Sequence, residues 1–377
     1  MSEMALSGQW RALDALGTPQ TTSFSAFQPA VASRLPSPGG LTEIRLYPAN
    51  GTWPAPPWVL EVRSTGYQQL HLLTTEGRYR TQSLMQPVPS DEISGHDRLG
   101  FVIRDNPAPG EPLQLLLDAR GQSDFPIRFN AKSLRDYRRH DALGLMLLAV
   151  CSGMMLVMAV IALFFALQLH DRTLLHYSGY LLSYLPLIAY QTGLLARPLG
   201  LDAPQAAILP LIKLAILMTT VLAFTFFHRF AQIRDYNPGF SRWLHGYLML
   251  LGMLMALSLT ALHPRVWPLL NPVLAAGSLL MLVTAISTAL KGARYARFFL
   301  LGWLPLLCAA IANNLQTHGL LLNLPLIGHT GILLAAIFET LVLSLALAER
   351  TALLQRDRDA ALHLAQRDPP DRVAQSP

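Results

Sequence analysis

Charged residues are absent from a series of long segments that begin near residue 143 of this 377-residue chain. The first segment, from Leu143 to Leu169, has 27 residues without a charge, whereas about 20 apolar residues suffice for a helix to cross a bilayer. A soluble helix needs a polar face. These segments have almost none, so they predict membrane-spanning helices rather than a soluble helical core. We predict seven such helices, at residues 143–169, 174–195, 203–227, 243–262, 266–290, 298–320 and 328–349.

The last two predicted helices come from one uncharged run of 41 residues, from 298 to 338. That length is too great for a single crossing. We divide the run at Leu322–His329, a stretch that contains Pro325 and Gly328, because proline and glycine interrupt helices. The predicted domain of seven transmembrane helices therefore covers residues 142–350, and residues 351–377 are predicted to form a short helical tail.

Residues 41–135 have a different pattern, in which short apolar runs are separated by turn signals. Trp58–Arg63 is typical of a strand, and Asn50-Gly51 is typical of a turn. About six to eight short strands at regular spacing predict an all-β sandwich that precedes the bundle of seven helices. We interpret residues 1–40 as an irregular lead-in. The alternative is a short amphipathic helix near the start of the chain, based on the helical spacing of Leu6, Trp10 and Leu13.

The composition narrows the class of protein. Hydrophobic residues make up 52% of the chain and charged residues 14%, against about 25% charged residues in a soluble domain. This argues against a soluble enzyme and against a disordered protein. The net charge of +6 is not organised as a basic stripe with interleaved aromatic residues, so we expect no nucleic-acid partner. The two cysteines, Cys151 and Cys308, lie in apolar runs, which excludes a disulfide framework and a structural zinc site.

Basic residues are concentrated in alternate loops between the predicted helices. The loops after the first, third and fifth helices and the residues directly after the seventh carry ten Lys and Arg, whereas the other loops carry only Arg197 and Arg265. Because cytoplasmic loops hold the excess of basic residues, we predict a cytoplasmic C-terminus and an external sandwich. One cluster of basic residues lies before the first helix, on the side predicted to be external: Lys132, Arg135, Arg138 and Arg139. With this cluster included, the cytoplasmic side still has ten basic residues against six on the external side.

An external domain of this size requires a secretion signal. Residues 1–10 contain neither an apolar core nor a small-residue cleavage site. We therefore expect the true start to lie upstream of Met1, and the alternative is that the predicted topology is inverted.

Two segments resemble a known family. Residues 294–303 open the sixth helix with Arg-Tyr-Ala-Arg-Phe-Phe-Leu-Leu-Gly-Trp, and residues 339–350 close the seventh with Glu-Thr-Leu-Val-Leu-Ser-Leu-Ala-Leu-Ala-Glu-Arg. Both resemble the bacterial seven-transmembrane receptors with diverse intracellular signalling modules (7TMR-DISM), over residues 142–351 and, more weakly, over 40–131. The resemblance implies a protein of the bacterial inner (plasma) membrane. It also implies a jelly-roll external module that binds carbohydrate-like or other small ligands.

Members of that family usually continue into a diguanylate cyclase, a histidine kinase or a phosphatase. This sequence reaches Pro377 after the tail without such an output domain, so we expect a receptor that signals to a separate cytoplasmic protein. The alternative is a small transporter or a membrane-complex assembly subunit. Transporters often contain inverted repeats, and no convincing repeat relates the two halves of the helical region.

No catalytic motif is present. The sequence lacks a Gly-rich phosphate loop, a nucleophile elbow and a His-Glu-x-x-His motif, and nothing around His363 resembles a kinase motif. A rhodopsin-like protein would need a lysine for retinal in the last helix, and residues 328–349 contain none. We therefore expect no enzymatic activity, no metal and no cofactor.

Polar residues inside the predicted helices are the best candidates for a functional site, because burying them in a membrane is costly. Glu339 and Lys213 lie at comparable depth, about 15 Å along their helices at a rise of about 1.5 Å per residue. We predict that they pair and act as a switch or ligand contact. The alternatives are a purely structural pair, a neutral Glu339 bonded to amides of the sixth helix, or a Lys213 that extends outward. The candidates are Gln191, Lys213, Asn313, Asn314, Gln316 and Glu339.

Trp53 and Trp58 flank a Pro-rich loop of the predicted sandwich and are weaker candidates. Sugars often stack on exposed aromatic rings, so the two side chains are candidate ligand contacts. Packing in the core is the alternative, and it is the more common position of a tryptophan in a sandwich.

Overall fold

A computed structural model of the chain describes residues 5–31, 33–35, 40–64, 69–74, 79–83, 93–95, 98–118, 126–192, 205–260, 263–317 and 329–367. These residues form two compact units. The first comprises the described parts of Met1–Leu156, Leu182–Thr219 and Leu307–Leu334, and the second comprises the described parts of Val157–Leu181, Thr220–Leu306 and Ala335–Pro377.

The described N-terminal region consists of β-strands that pair antiparallel in two sheets. The strands are β1 Leu6–Leu13, β2 Ser25–Phe27, β3 Ser33–Arg34, β4 Leu41–Pro48, β5 Trp58–Ser64, β6 Gln69–Leu73, β7 Tyr79–Ser83, β8 Ile93–Ser94, β9 Leu99–Ile103, β10 Leu113–Asp118 and β11 Pro126–Ser133. The six-stranded sheet has the order β2-β1-β4-β10-β6-β7, and the five-stranded sheet has the order β3-β11-β5-β9-β8.

Alternation of side chains along the strands builds the core between the sheets. On β10, Leu113, Leu115 and Leu117 are buried while the residues between them are partly exposed, as expected for a strand with one covered face. Such residues from both sheets join in one hydrophobic cluster that includes Ile44 and Phe129. The prediction of an all-β domain before the helices is confirmed, whereas its jelly-roll topology stays a prediction.

The irregular lead-in predicted for residues 1–40 is wrong, because this segment contributes β1, β2 and β3. β1 pairs with β4 from Leu6↔Pro48 to Leu13↔Leu41 and also pairs with β2, so the alternative of an amphipathic helix is wrong as well. Pairing with neighbours on both sides therefore decides in favour of a strand, although the spacing of Leu6, Trp10 and Leu13 also fits a helix. Close packing also restricts the residue type at position 8, because a Cβ on Gly8 would overlap the Phe27 ring.

Helices form the rest of the described chain. They are α1 Leu134–Leu169, α2 Arg172–Gln191, α3 Gln205–Phe230, α4 Ile233–Tyr236, α5 Pro238–Ser258, α6 His263–Leu290, α7 Arg294–Thr317 and α8 His329–Arg367. Each predicted membrane helix overlaps one of the seven elements other than the short α4. Five of these, namely α1, α3, α5, α6 and α8, contain stretches long and apolar enough to cross a membrane. They support a multi-pass membrane protein, whereas the number of seven crossings stays a prediction.

The two ends of the helical region extend beyond the predicted membrane segments. α1 begins at Leu134, nine residues before the uncharged run, and α8 continues to Arg367. At about 1.5 Å per residue, helices of 36 and 39 residues exceed the roughly 30 Å thickness of the hydrocarbon layer. Both helices therefore have segments outside the membrane, and α8 contains the helical part predicted for the tail.

Along its apolar part, α1 exposes large side chains and buries small ones. On α1, Ala159 and Ala166 are buried, whereas Phe164 and Leu167 are more than half exposed. Small residues let helices approach closely in a membrane, and large exposed apolar residues suit a lipid environment. This pattern is the reverse of that expected for helices surrounded by water.

Candidate functional site

The sandwich continues directly into the first helix. β11 ends at Ser133 and α1 begins at Leu134. The Ser133 hydroxyl accepts a hydrogen bond from the Asp136 backbone N–H at 3.1 Å and donates one to Asp136 Oδ2 at 2.8 Å. This cap satisfies a donor that the first turn of a helix leaves unpaired. The cap explains why the helix begins here, well before the uncharged run.

A tyrosine fixes this junction. Tyr137, in the first turn of α1, is completely buried. A Cβ on Gly95 would lie 2.4 Å from the Tyr137 hydroxyl oxygen, and one on Gly100 of β9 would lie 2.6 Å from it. Because real Cβ atoms do not approach other atoms this closely, only glycine fits at both positions. The start of α1 is thus packed tightly against the five-stranded sheet.

A buried ionic cluster lies in the same sheet. The side chain of Glu61 on β5 is 0% exposed and contacts three cations: Lys132 Nζ at 2.7 Å, Arg63 Nε at 2.9 Å and Arg98 Nη1 at 3.4 Å. Burial by itself would raise the pKa of Glu61, but these three charges together hold the pKa below its ordinary value. Lys132 belongs to β11, so the cluster links β5 to the strand that leads into α1.

The two tryptophans have different environments. Their rings are stacked with centroids 5.6 Å apart. Trp58 is 1% exposed and donates its indole N–H to Asn106 Oδ1 at 2.8 Å, while Asn106 donates to the Pro54 carbonyl at 2.8 Å. The structure therefore favours core packing for Trp58, since a covered ring offers no face to a ligand. Trp53 is only partly buried, so it stays a candidate for contact with a ligand.

In the second unit, Glu339 of α8 is buried, with 4% exposure. The Tyr180 hydroxyl, from α2, lies 3.3 Å from Oε1 and 3.4 Å from Oε2. These distances are long for an O–H···O hydrogen bond, so the contact is weak. Gly302 of α7 brings its backbone close, since a Cβ there would lie 3.5 Å from the Glu339 backbone. Glu339 therefore lies between α2, which contacts its carboxyl group, and α7, which approaches its backbone.

A second tyrosine of α2 contacts α8 next to Glu339. Tyr177 donates to the Thr340 carbonyl at 3.2 Å, and its hydroxyl lies 3.3 Å from Ser344 Oγ. Its ring also packs against Phe226 of α3, with centroids 5.1 Å apart. Sequence reasoning missed both tyrosines, although their spacing of three residues places them on one face of the helix.

The other predicted intramembrane candidates have less defined surroundings. Lys213 is half-buried on α3, and its pairing with Glu339 stays a prediction. The side chains of Gln191, Asn313, Asn314 and Gln316 lie outside the described residues. Within the described part of the chain, no three His, Cys, Asp or Glu side chains come together as metal ligands.

The helical region matches one known family. A family model described as 7TM diverse intracellular signalling matches residues 144–350, which is more than half of the chain. The match begins within α1, ends on α8 and includes Tyr177, Tyr180 and Glu339. No curated protein and no solved structure matches the chain. The chain therefore belongs to the 7TMR-DISM family, the seven-transmembrane receptors with diverse intracellular signalling modules.

Proposed function

We propose that the protein is a receptor of the bacterial inner membrane. Its external sandwich, a jelly-roll module, binds a small ligand such as a carbohydrate, and its helices pass the resulting change to a separate cytoplasmic protein. The observation that carries this proposal is the junction between β11 and α1. A binding domain that continues into a helix without a linker transmits small shifts instead of absorbing them.

Three features support transmission through the junction. Ser133 caps α1 and fixes where the helix begins. Tyr137 packs over Gly100 and so couples α1 to the neighbouring β9. The Lys132–Glu61 contact of 2.7 Å ties β11 to β5. A ligand that shifts β5 or β9 therefore moves the first turn of α1 as well.

The contacts of Glu339 provide a second element for transmission. Long, weak hydrogen bonds such as those of Tyr180 cost little to rearrange, which suits an element with two arrangements of similar energy. Tyr177 holds the neighbouring turn of α8. α8 continues to Arg367, so a shift at Glu339 reaches the tail that we propose contacts the cytoplasmic partner.

The orientation is part of the proposal and rests on the ten-to-two distribution of basic residues in the loops. Fusion of alkaline phosphatase, which is active only outside the cytoplasm, to the C-terminus is expected to give an inactive enzyme. Fusion of a fluorescent protein to the same site is expected to give bright cells. The opposite pair of results would contradict both the orientation and the direction of signalling.

The experiment that tests the function separates ligand binding from transmission. The full chain is placed in nanodiscs with Cys308→Ser and a fluorophore attached at Arg356→Cys on α8. A panel of mono- and disaccharides is screened by thermal shift and then by fluorescence. Tyr137→Ala is expected to keep the thermal shift caused by a bound sugar and to lose the fluorescence change.

Tyr79→Ala is the matched control, because Tyr79 is an exposed tyrosine of the same sandwich. It is expected to keep both the thermal shift and the fluorescence change. A fluorescence response that survives in Tyr137→Ala would contradict transmission through the junction. If no sugar raises the melting temperature, the carbohydrate part of the proposal fails, and the screen continues with other small metabolites.

A further inference from the structure

A cavity of about 890 Å³ lies in the second unit, where the α1–α2 turn, the end of α3, α4 and the start of α5 meet α8. Its walls are unusually basic. Five arginines line it, together with three histidines, and the only acidic residues among the lining side chains are Asp171 and Asp235. The arginines are Arg172, Arg229, Arg234, Arg242 and Arg350.

The two carboxylates do not neutralise this charge. Asp171 already caps α2, since its Oδ1 accepts a hydrogen bond from the Thr173 backbone N–H at 2.7 Å. Its Oδ2 lies 3.5 Å from Arg350 Nη2, with both side chains mostly buried. Asp235 is exposed and is the other negative charge. The lining therefore keeps a clear excess of positive charge.

One donor of Arg350 remains unsatisfied. Its Nη1 atom is buried and has no hydrogen-bond partner. Buried donors of a guanidinium group are almost always paired, because removing such a donor from water without giving it a partner is unfavourable. An anion in the cavity would balance the charge of the arginines that line it.

Histidine and serine side chains hold the wall in place. His228 Nε2 lies 2.8 Å from Ser241 Oγ, and His245 Nδ1 donates to the Ser241 carbonyl at 2.7 Å. The two imidazole rings are 4.7 Å apart in an edge-to-face arrangement. This network ties α3 to α5, so the shape of the cavity exists before a ligand enters.

We propose that this cavity binds a phosphate-bearing anion. The planar guanidinium group matches the geometry of phosphate oxygens and binds them in pairs, and the volume is in the range of known ligand sites. Arg350 is mostly buried and the other four arginines are exposed to solvent, and all five line the same concave space. The phosphate comes either from an acidic phospholipid headgroup or from a soluble phosphate compound.

Binding at this place would affect α8. The ligand would contact Arg350 on α8 together with arginines of α3, α4 and α5, and so would hold the start of the tail against the other helices. It would act as a second input besides the external ligand. The chemistry of the site does not depend on the direction in which the receptor signals, so it is testable without a known external ligand.

The experiment uses the full chain in nanodiscs and measures the melting temperature. One arm compares phosphatidylcholine alone with phosphatidylcholine containing phosphatidylglycerol or cardiolipin. The other arm titrates inorganic pyrophosphate into phosphatidylcholine nanodiscs. Stabilisation in the first arm alone identifies a lipid headgroup, and stabilisation in the second arm identifies a soluble phosphate. The absence of stabilisation in both arms overturns the proposal.

Variants separate the cavity from general surface charge. Arg234→Gln removes a lining charge and is expected to weaken the apparent affinity about tenfold, as expected for the loss of one charge-assisted hydrogen bond. Arg350→Gln is expected to have at least this effect, although it also removes the partner of Asp171. Arg297→Gln is the matched control, because Arg297 is exposed on α7 and does not line the cavity. Equal weakening by Arg234→Gln and Arg297→Gln would overturn the proposal.

Discussion

The sandwich and the apolar part of α1 bury different kinds of side chains. In the sandwich, large residues such as Phe101 and Leu60 are completely buried in the core between the sheets. On α1, alanines such as Ala159 are buried, and large residues such as Phe164 are exposed. The sandwich gains stability by removing apolar surface from water. That gain is absent between helices in lipid, where close packing and polar contacts between helices replace it.

The two buried carboxyl groups show the same difference. Glu61 has three cationic partners within 3.4 Å, so its charge is balanced by strong contacts. The described contacts of Glu339 include two long hydrogen bonds from Tyr180. Strong contacts hold one arrangement, whereas weak contacts allow several. The contacts of Glu61 therefore favour a single arrangement, and we propose that the region around Glu339 allows more than one.

The largest effect is expected for Glu61. Glu61→Ala removes the carboxylate that three cations contact, and breaking a buried ion pair costs about 3–5 kcal/mol. We expect this loss in the local stability of β5 and β11, measured by hydrogen exchange of the full chain in detergent. Glu43→Ala is the control, because Glu43 pairs with Arg11 and Arg45 but is only partly buried. If Glu61→Ala lowers local stability no more than Glu43→Ala does, the contacts of Glu61 do not hold the sandwich as firmly as we propose.

The same residue predicts a pH dependence. Because the pKa of Glu61 in the folded protein lies below its ordinary value of 4.5, the ionised group stabilises the fold at pH values above 4.5. This stabilisation is lost as the pH falls through 4.5 towards the lowered pKa. Thermal unfolding at several pH values is expected to show this loss on the acid side. Glu61→Gln is expected to remove that part of the slope, and an unchanged slope would show that Glu61 does not cause it.

A moderate effect is expected at the junction. Gly100→Val places new atoms where Tyr137 lies, since even a Cβ would be 2.6 Å from its hydroxyl oxygen. Overpacking of this kind costs about 1–3 kcal/mol. Hydrogen exchange of β9 and of the first turn of α1 is the measurement, and Tyr137→Leu in the same chain is expected to restore part of the loss.

Gly153 on α1 provides the control for this substitution, because an added Cβ there meets nothing within 4 Å. Gly153→Ala is expected to be neutral or slightly stabilising. If Gly100→Val is equally neutral, α1 is not packed against the sheet as described, and the proposed route of transmission is lost.

The smallest effect is expected near Glu339. Tyr180→Phe removes the two long hydrogen bonds to Glu339, and polar contacts between membrane helices average about 0.6 kcal/mol. The melting temperature in detergent is therefore expected to change little. Tyr236→Phe is the control, because Tyr236 is exposed. A loss of several kcal/mol in Tyr180→Phe would show that this region is held as firmly as the sandwich.

The predicted pair of Lys213 and Glu339 is tested by a double-mutant cycle. If the two side chains interact, Glu339→Gln and Lys213→Met each lower the melting temperature, and the double variant recovers part of the loss. If the effects simply add, the residues do not interact. In that case the cycle is repeated with Asn313→Leu, which tests the alternative of a carboxyl group bonded to amides of the neighbouring helix.

Much of the helical region could be predicted from the sequence. A crossing requires about 20 consecutive apolar residues, which is a local property, and every predicted helix overlaps an observed one. The start of α1 was not predicted, because it is set by one hydrogen bond to the Ser133 hydroxyl group and not by the run of apolar residues. The strands of residues 41–135 followed from alternation of apolar and polar residues. β1 was missed although Leu6, Trp10 and Ala12 alternate with polar residues, because Leu6, Trp10 and Leu13 also fit a helical spacing. Its pairing with β4, which joins segments about 30–40 residues apart, shows that it is a strand.

The sequence by itself determined that this chain crosses a membrane several times after an all-β domain, and its motifs indicated the family. It also singled out Glu339, because a carboxyl group is costly to place in lipid. Only the tertiary structure decided its partner, since Tyr180 lies 159 residues earlier in the chain. The same holds for the three cations around Glu61 and for the five arginines of the basic cavity. Distant side chains meet where packed elements bring them together, and one-dimensional spacing carries no record of that meeting.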